Sequence, residues 1–507
     1  MATNSRPPCI RNLAHEIIYV VMISCTQLLT QAALGNVLVP LTIIGSSLHI
    51  NVAQLPWTLA AYSLTVGVFI MITGRLGDIF GHKLLLILGF IIFGIFSGLT
   101  GIAVFVKNGI YFDVMRALQG LGPAMILPNG VALLARTYPI GPRKSLVFSI
   151  FGASAPTGFI LGALVGSLLA EYVWWPWGQW ALGIFCMILA ILCYWFVPAE
   201  LASSVEPSGK VDIIGALLGL LGLVLFIYCW NEGPIIGWDK SYVYGVLIAS
   251  MLIIVLFIFV ETKVKEPIMP PSIWLVNGFP GVLASIALGW SSFGIFIFYI
   301  VQFLQKIRNV SPLLTTAMLS PLVLFGLVAT ASVSKLYGRV PPHYLLMVAM
   351  ICFCVGNSLI ATVPPDQTYW LQIFLSTVIT PFGMDISFPA ASLIVSNTVP
   401  TQQQGVAASM INTVINWSIS LGLGIAGTIE SQMIKMGKTT LEGYRSALYA
   451  GIGLSGISII VVLLFCRVKQ QSCPADKIVE TSNDCINEEY TGSRIHSETS
   501  GLIESAV

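Results

Sequence analysis

Charged side chains are scarce in this sequence, and their scarcity excludes most classes of soluble protein. Only 9% of the 507 residues are Asp, Glu, Lys or Arg, whereas 56% are hydrophobic and the mean hydropathy is +0.88. Soluble domains carry roughly 25% charged residues. The chain is therefore predicted to be a membrane protein with several spans. Its net charge is only +2 and its basic residues are spread through the loops, so no nucleic-acid partner is expected.

Residues suited to metal or nucleotide chemistry are also few. The five histidines are scattered, which excludes the histidine cluster of a membrane desaturase, and no metal site or cofactor is predicted. The segment 436–440 ends like a phosphate-binding loop, but Gln432 stands where that loop needs its first glycine. Most of the ten cysteines lie in apolar runs, where they are small hydrophobic side chains. An enzyme or an ATP-driven pump is therefore not expected.

Long hydrophobic runs, by contrast, are abundant. Fourteen runs, from 17–44 to 446–466, are each long enough to cross a roughly 30 Å hydrocarbon core as a helix. Because the number is even, both termini lie on the same side. With the N-terminus in the cytoplasm, 16 of the 24 Lys and Arg residues are cytoplasmic and 7 are external. Both termini are therefore predicted to be cytoplasmic, and the polar, serine-rich residues 467–507 are predicted to form a disordered tail.

A compact block of charge separates the second and third runs. Residues 70–86 read IMITGRLGDIFGHKLLL. Gly74 and Gly81 allow the backbone to turn tightly, while Asp78 and Lys83 are placed at the cytoplasmic membrane face. By itself the block is either an ordinary positively charged inner loop or a functional element.

The sequence also contains an internal repeat. Residues 121–139 align without a gap with residues 382–400, which pairs Gly122 with Gly383. Spans 4 and 12 are therefore predicted to be copies, so spans 1–6 correspond to spans 9–14 and spans 7 and 8 are an insertion. Repeated halves around a central site are the architecture of secondary transporters. The predicted domains are an N-terminal cytoplasmic segment (1–16), a six-helix bundle (17–198), inserted helices 7 and 8 with their linkers (199–278), a second six-helix bundle (279–466) and the cytoplasmic tail (467–507).

Three ionisable residues fall inside predicted spans, where a charge costs a few kcal/mol and needs a partner or water. Asp113 and Arg116 share one face of span 4, so they form either a structural salt link or part of a proton pathway. Asp385 lies between Pro381 and Pro389 in span 12. Helices interrupted by proline are tolerated at membrane depth mainly where they line a cavity. We expect Asp385 to be a proton-coupling carboxylate, with a hydrogen bond between helices as the alternative.

Neutral polar side chains at helical spacing mark a candidate substrate cavity, although such groups can equally bond one helix to another. Because the set is uncharged, it suits a neutral or weakly charged solute better than a multivalent ion. The candidate cavity residues are Gln27, Gln31, Asn36, Gln119, Tyr299, Gln302, Asn412 and Asn416. In span 5, Gly158, Gly162 and Gly166 recur at every fourth position and predict a close contact between helices.

Several of these motifs resemble those of one transporter family. GRLGDIFGHK at 74–83 resembles the loop between spans 2 and 3 of the major facilitator superfamily, and RALQGLG at 116–122 resembles the span 4 signature of its drug antiporters. Together with FGASAPTGF at 151–159, WWPW at 174–177 and TPFGMDISFPAA at 380–391, they resemble the fungal aminotriazole-resistance branch of the fourteen-span drug:proton antiporters. The resemblance implies an all-α membrane protein with the major facilitator fold, in which two six-helix bundles are joined by two inserted helices.

The resemblance also implies roles for particular residues. It implies that Arg116 takes part in proton transfer and that Asp78 pairs with Arg136 to close the inner mouth. The predicted gating residues are Gly74, Asp78, Gly81, Lys83 and Arg136. Departures from the family pattern occur at Gln31, which stands where the first span usually carries an aspartate, and at Ile79 and His82, which replace arginines of the loop between spans 2 and 3. Proton coupling must therefore rest on other groups, or be absent.

The predicted function is secondary active export of small, toxic organic or weakly charged molecules, coupled to protons and operating by alternating access. The sequence leaves open two alternatives on the same scaffold, namely uptake of a small nutrient such as ammonium, and a sensor that does not transport. The expected partners are a small-molecule substrate, protons and the lipid bilayer, and the chain is expected to be monomeric. The plasma membrane is the expected location, with the vacuolar membrane as the alternative.

Overall fold

The computed structural model describes most of the chain: residues 7, 9–139, 141–198, 201, 212–264, 267–336, 339–400 and 403–466. Within these residues the chain folds into helices and contains no strand, and fourteen helical segments are long and apolar enough to cross a membrane. The predicted all-α fold and number of spans are thereby confirmed. The predicted tail at 467–507 lies outside the described residues, as do parts of the predicted N-terminal segment and of the linker before helix 7.

We number the spanning helices α1 to α14 in chain order. Their bounds are α1 Leu13–Leu38, α2 Val52–Phe80, α3 His82–Val106, α4 Gly109–Thr137, α5 Arg143–Tyr172, α6 Pro176–Phe196, α7 Ile213–Ile236, α8 Ser241–Glu261, α9 Phe279–Ile307, α10 Pro312–Val333, α11 Pro342–Thr362, α12 Gln372–Thr398, α13 Gln404–Lys435 and α14 Thr440–Phe465. Helix α1 begins before its apolar run because Asn12 caps it, its side chain accepting a hydrogen bond from the backbone N–H of His15 at 2.8 Å.

Helices α1–α6 and α9–α14 form two bundles with the same internal packing. Helix α1 packs along α5 and α3 packs against α4 and α6, just as α9 packs along α13 and α11 against α12 and α14. The repeat is also visible in single contacts. A Cβ on Gly122 would lie 2.4 Å from the side chain of Phe93 in α3, and a Cβ on Gly383 would lie 2.6 Å from that of Phe353 in α11. The two bundles therefore share one scaffold.

The bundles meet along two pairs of helices, α2 with α13 and α5 with α10. The inserted helices α7 and α8 pack against each other, and α7 also contacts α2 and α13. Only 11% of the most apolar part of α8 is buried within the protein. Because that surface is strongly apolar, we infer that α8 faces lipid and that the insertion lies at the periphery of the two bundles.

The glycines at every fourth position in α5 lie directly against the backbone of α1. A Cβ on Gly158 would lie 2.2 Å from the carbonyl oxygen of Leu28, and one on Gly162 would lie 2.1 Å from that of Ala32. These distances are far shorter than a normal contact between non-bonded atoms. Any side chain at these two positions would push the helices apart.

Candidate functional site

A cavity of about 1490 Å³ lies between the two bundles. Its wall includes Asp78 and Gly405, at the predicted cytoplasmic ends of α2 and α13, and extends to Leu38 and Ile297 near the outer ends of α1 and α9. Residues of both bundles contribute to it. With the topology predicted from the basic residues, the cavity opens to the cytoplasm.

The outer end of the cavity is closed by contacts between the bundles. Apolar residues near the outer ends of α1 and α9, including Leu38 and Ile300, belong to one buried cluster. Polar contacts reinforce it, because Thr42 Oγ1 donates to Gln305 Oε1 at 2.7 Å and Gln305 Nε2 donates to the carbonyl oxygen of Val39 at 2.6 Å. The structure is therefore an inward-facing conformation, open on one side and sealed on the other.

Asp385 lies on the wall of this cavity. Helix α12 continues through both Pro381 and Pro389, so their missing N–H groups leave the helix around Asp385 without its full set of backbone hydrogen bonds. Carboxylate oxygen Oδ2 lies 2.7 Å from the position that a Cβ on Gly326 of α10 would take. This oxygen is buried and has no hydrogen-bond partner among the described residues. Asp385 thus places a carboxylate at the cavity wall, with one buried oxygen that lacks a compensating hydrogen bond.

Arg116 lies in the interior of the first bundle and not on the cavity wall. Its Nη1 donates to Gln119 Oε1 at 2.5 Å, its Nε donates to the carbonyl oxygen of Thr58 at 3.3 Å, and its guanidinium lies 4.3 Å from the centre of the Tyr62 ring. Of the two alternatives for Asp113 and Arg116, a direct ion pair is not found between these two described residues, because the guanidinium turns towards these partners instead. Oxygen Oδ1 of Asp113 is buried and has no hydrogen-bond partner in the described part of the chain.

The eight candidate cavity residues divide into two groups. The residues that line the cavity are Gln27, Gln31, Asn412 and Asn416. The residues that do not line it are Asn36, Gln119, Tyr299 and Gln302.

The second group does not line the cavity in this conformation, because the faces of these residues are turned towards neighbouring helices or towards the closed outer side. Gln119 Nε2 donates to Ser97 Oγ at 2.6 Å inside the first bundle, next to Arg116. Asn36 and Gln302 are buried, and the described residues offer no hydrogen-bond partner to either side-chain amide.

The loop between α2 and α3, defined as residues 74–83, borders the inner mouth of the cavity. Gly74 and Asp78 lie in the last two turns of α2, so the tight turn expected at Gly74 and Gly81 is found at Gly81 alone. Gly74 and Asp78 are on the cavity wall, and Gly81 has a φ of 96°, a left-handed conformation that favours glycine. Asp78 Oδ1 lies 3.5 Å from His82 Nε2, and His82 Nδ1 lies 2.8 Å from Asn129 Oδ1 of α4. His82, which departs from the family pattern, therefore connects Asp78 to α4.

The two remaining gating candidates lie at the same side of the protein. Lys83 Nζ donates to the carbonyl oxygen of Val197 at 2.7 Å, which ties the start of α3 to the end of α6. Arg136 is exposed in the last turn of α4. The pairing of Asp78 with Arg136 stays a prediction.

Sequence reasoning missed several polar residues that the structure brings forward. Glu430 of α13 is buried and accepts a hydrogen bond from Tyr299, and Glu16 forms an ion pair with Arg143 at 2.6 Å that links α1 to α5. Both acids are close to the ends of apolar runs, where a carboxylate normally faces water, so no sequence pattern predicted that they are buried. Trp290 lines the cavity and donates to Ser387 Oγ at 3.1 Å, but nothing distinguishes it from other aromatic residues in an apolar run.

Comparisons with known proteins agree with this architecture. The sequence matches the family model of the Major Facilitator Superfamily over residues 23–423. The chain also resembles the solved structure of the nucleoside transporter NupG, with a TM-score of 0.60 at 13% identity, covering 88% of this chain and 99% of that one. At this identity the likeness concerns the fold alone.

Curated relatives extend over nearly the whole chain. A low affinity ammonium transporter of Saccharomyces cerevisiae is 47% identical, over 90% of this chain and 89% of the relative. The efflux pump terJ of Aspergillus terreus is 40% identical over 90% and 89%, and the aminotriazole resistance protein of S. cerevisiae is 35% identical over 89% and 84%. The resemblance found in the sequence is confirmed, and the protein is a multi-pass membrane transporter of small molecules and not an enzyme. The chain belongs to the major facilitator superfamily.

Proposed function

We propose that this transporter exports small organic molecules from the cytosol in exchange for protons, by alternating exposure of the central cavity to the two sides of the membrane. The names of two relatives, an efflux pump and an aminotriazole resistance protein, favour export. The observation that carries the proposal is the position of Asp385, an ionisable group with an unpartnered carboxylate oxygen on the wall of an inward-open cavity.

Asp385 can couple protons to transport through the cost of burying its charge. A carboxylate without a compensating hydrogen bond is destabilised in an apolar environment, and protonation removes that penalty. When the cavity is open and wet, water can solvate the charged form. When the cavity closes around Asp385, the group must be protonated or must contact the substrate. Proton binding and substrate binding therefore compete, which is the requirement for exchange of one against the other.

The cavity wall suits a medium-sized organic solute. Its volume of about 1490 Å³ exceeds the roughly 300–1,000 Å³ of pockets that enclose drug-sized ligands. Trp290 and Phe293 supply aromatic surface, while Gln27, Gln31 and Asn412 supply amide groups that can bond to a neutral polar ligand. A single chain supplies the whole cavity, which is consistent with a monomeric transporter.

The loop between α2 and α3 is the proposed inner gate. Asp78 stands at the mouth and contacts His82, which in turn contacts Asn129 of α4. In the outward-facing state we expect Asp78 to pair with Arg136 or with the start of a helix in the second bundle, so that the inner mouth is held closed.

A second candidate function is uptake of ammonium. It is favoured by the S. cerevisiae relative named as a low affinity ammonium transporter, whose sequence identity to this chain is the highest of the three relatives compared above. The size of the cavity argues against it, because ammonium would fill only a small part of the space. The two candidates differ in direction. A cell without an exporter accumulates its toxic solute, whereas a cell without the uptake carrier grows poorly on limiting ammonium.

The experiment that tests the proposal is a growth and accumulation screen of deletion and overexpression strains. The panel would include aminotriazole and other small toxic compounds, with and without a protonophore, and limiting ammonium as the sole nitrogen source. We expect overexpression to lower accumulation of at least one toxic compound and the protonophore to abolish that effect. Loss of growth on ammonium alone, with no change in any toxic compound, would favour the second candidate. Tagging the full chain in the same strains would test the proposed plasma-membrane location.

A further inference from the structure

Glu430 is a second buried carboxylate, separate from the cavity. It lies near the outer end of α13, only 8% of its surface is exposed, and it is not part of the cavity wall. Its Oε2 accepts a hydrogen bond of 2.7 Å from the hydroxyl of Tyr299, which is itself fully buried in α9. The contact joins two helices of the same bundle. A carboxylate buried this far with one phenol partner is costly in its charged form.

The surroundings of Glu430 contain few charges that could offset its own. From α9 it is faced by Tyr299 and by the half-buried Lys306, whose charge acts on it from beyond ion-pair distance. From α14 it is faced by Gly443 and Tyr444; a Cβ on Gly443 would lie 3.4 Å from Glu430 Cγ, and the Tyr444 ring lies 5.3 Å from that of Tyr299. Because no ion pair of Glu430 is found among the described residues, burial of its charged form carries a desolvation cost that protonation would remove.

Glu430 is placed where the outer side must open. Its partner Tyr299 belongs to the same buried cluster as Leu38 and Ile300, the residues that seal the outer end of the cavity. One turn before Glu430, a Cβ on Gly427 would lie 3.8 Å from Pro234 of α7 and 4.0 Å from Pro56 at the start of α2, so this part of α13 lies against the inserted helix and the other bundle. When the bundles separate on the outer side, external water gains access to the region around Tyr299 and Glu430.

We infer that Glu430 is a proton-controlled latch of the outer side, an inference that rests on the alternating-access cycle proposed above. With the outer side open, the Glu430 carboxylate takes a proton from external water, and the resulting neutral acid can be buried as the outer side closes. On opening, the acid returns the proton to external water. Tyr299 keeps its own proton throughout and is a positioning residue. One linked proton means that each tenfold fall in external proton concentration shifts the closing equilibrium by at most tenfold towards the open form.

The test is a spectroscopic distance measurement across the outer side, which needs no known substrate. Spin labels are placed at Ser46→Cys in the first bundle and Thr362→Cys in the second, two exposed positions beyond the closed end, in the full chain reconstituted in lipid nanodiscs. Other cysteines that react with the label are replaced. The population of the long, outward-open distance is then measured from about pH 5 to about pH 9, a range over which a carboxylate with a buried, neutral form can titrate.

We expect the open population of the labelled parent to rise with pH by up to tenfold per pH unit, and Glu430→Gln to remove this response and stay closed. Glutamine can still accept the hydrogen bond from Tyr299. If Glu430 had only a structural role, Glu430→Gln would therefore keep the pH response of the parent. Tyr299→Phe, which lacks the donor, should keep the response with a displaced midpoint. Glu442→Gln is the matched control, because Glu442 is an exposed carboxylate on the same side in a capping box of α14, and it should behave like the parent.

Several outcomes would overturn the inference: a parent that does not respond to pH, a Glu430→Gln variant with the parent's response, or a Glu442→Gln variant that loses it. If Glu430→Gln does not fold, the Tyr299→Phe variant serves as the test. A pH midpoint of opening in Tyr299→Phe that is identical to that of the parent would then overturn the inference. Asp385→Asn distinguishes this inference from the proposed function. A pH response that persists in Asp385→Asn and disappears in Glu430→Gln supports the latch, even if no proton-driven export is found.

Discussion

The contact between α1 and α5 gives a prediction whose size can be worked out from the structure. In Gly162→Ala the new methyl group would lie 2.1 Å from the carbonyl oxygen of Ala32. Non-bonded carbon atoms are at their optimal separation at roughly 3.5–4.0 Å, so α1 and α5 would have to move apart by about 1 Å or more to accommodate the methyl group. Overpacking of this kind costs about 1–3 kcal/mol. Because the atom in the way belongs to the backbone, rotation of a side chain cannot relieve it.

Gly152→Ala is the matched control, since it lies in the same helix and nothing stands within 4 Å of its added Cβ. Alanine is more favourable than glycine in a helix by up to about 1 kcal/mol, so this variant should be as stable as the parent or slightly more stable. The assay is thermal unfolding of the purified protein in detergent, followed as the fraction that remains monodisperse. The two variants should differ by about 2 kcal/mol, roughly a factor of 30 in the folded-to-unfolded ratio. Equal stability of Gly162→Ala and Gly152→Ala would refute the close backbone contact.

Further predictions concern transport and the conformational equilibrium. Asp385→Asn should leave the protein folded and remove the dependence of export on the proton gradient; full retention of that dependence in vesicles would exclude Asp385 as the coupling group. Asp78→Ala should lower transport several-fold without lowering expression, and unchanged flux would show that the loop between α2 and α3 is only a turn. Gln305→Ala removes the bonds to Thr42 and Val39, each worth about 0.5–1.5 kcal/mol, and should raise the outward-open population by about 5- to 150-fold in the labelled protein described above.

Features of this fold and site could be predicted from the sequence where they depend on hydropathy, segment length or charge inside a span. Length and hydropathy alone determine how many helices cross a bilayer, so the fourteen spans were predictable. The position of Asp385 on the cavity wall was predictable as well, because a charged residue between two prolines inside a span is tolerated mainly where the helix lines a cavity. The start of α1 at Leu13 was missed, because the cap at Asn12 is a local hydrogen bond that hydropathy does not record.

The orientation of polar side chains around each helix was not predictable to the same degree. A spanning helix is apolar on all sides, so the amphipathic pattern that orients a soluble helix is missing. Gln31 and Asn36 are both polar residues of α1, yet Gln31 faces the cavity and Asn36 is buried away from it. Arg116 and Asp113 share a helix face, yet the arginine bonds to Gln119. Only the packing of neighbouring helices decides these cases.

The two bundles repeat one scaffold but not its ionisable groups. The alignment that pairs Gly122 with Gly383 also pairs Asp385 with Ala124, and Arg116 with Thr377. The glycines make the same contact in both halves, since close packing of the helices is needed in each. The proposed exchange needs one proton-binding carboxylate at membrane depth, and a second one at that depth would raise the cost of burying charge when the cavity closes. The two halves therefore share the backbone that the proposed alternating movement requires, whereas Asp385, the proposed proton-binding carboxylate, has no counterpart at the aligned position of the first half.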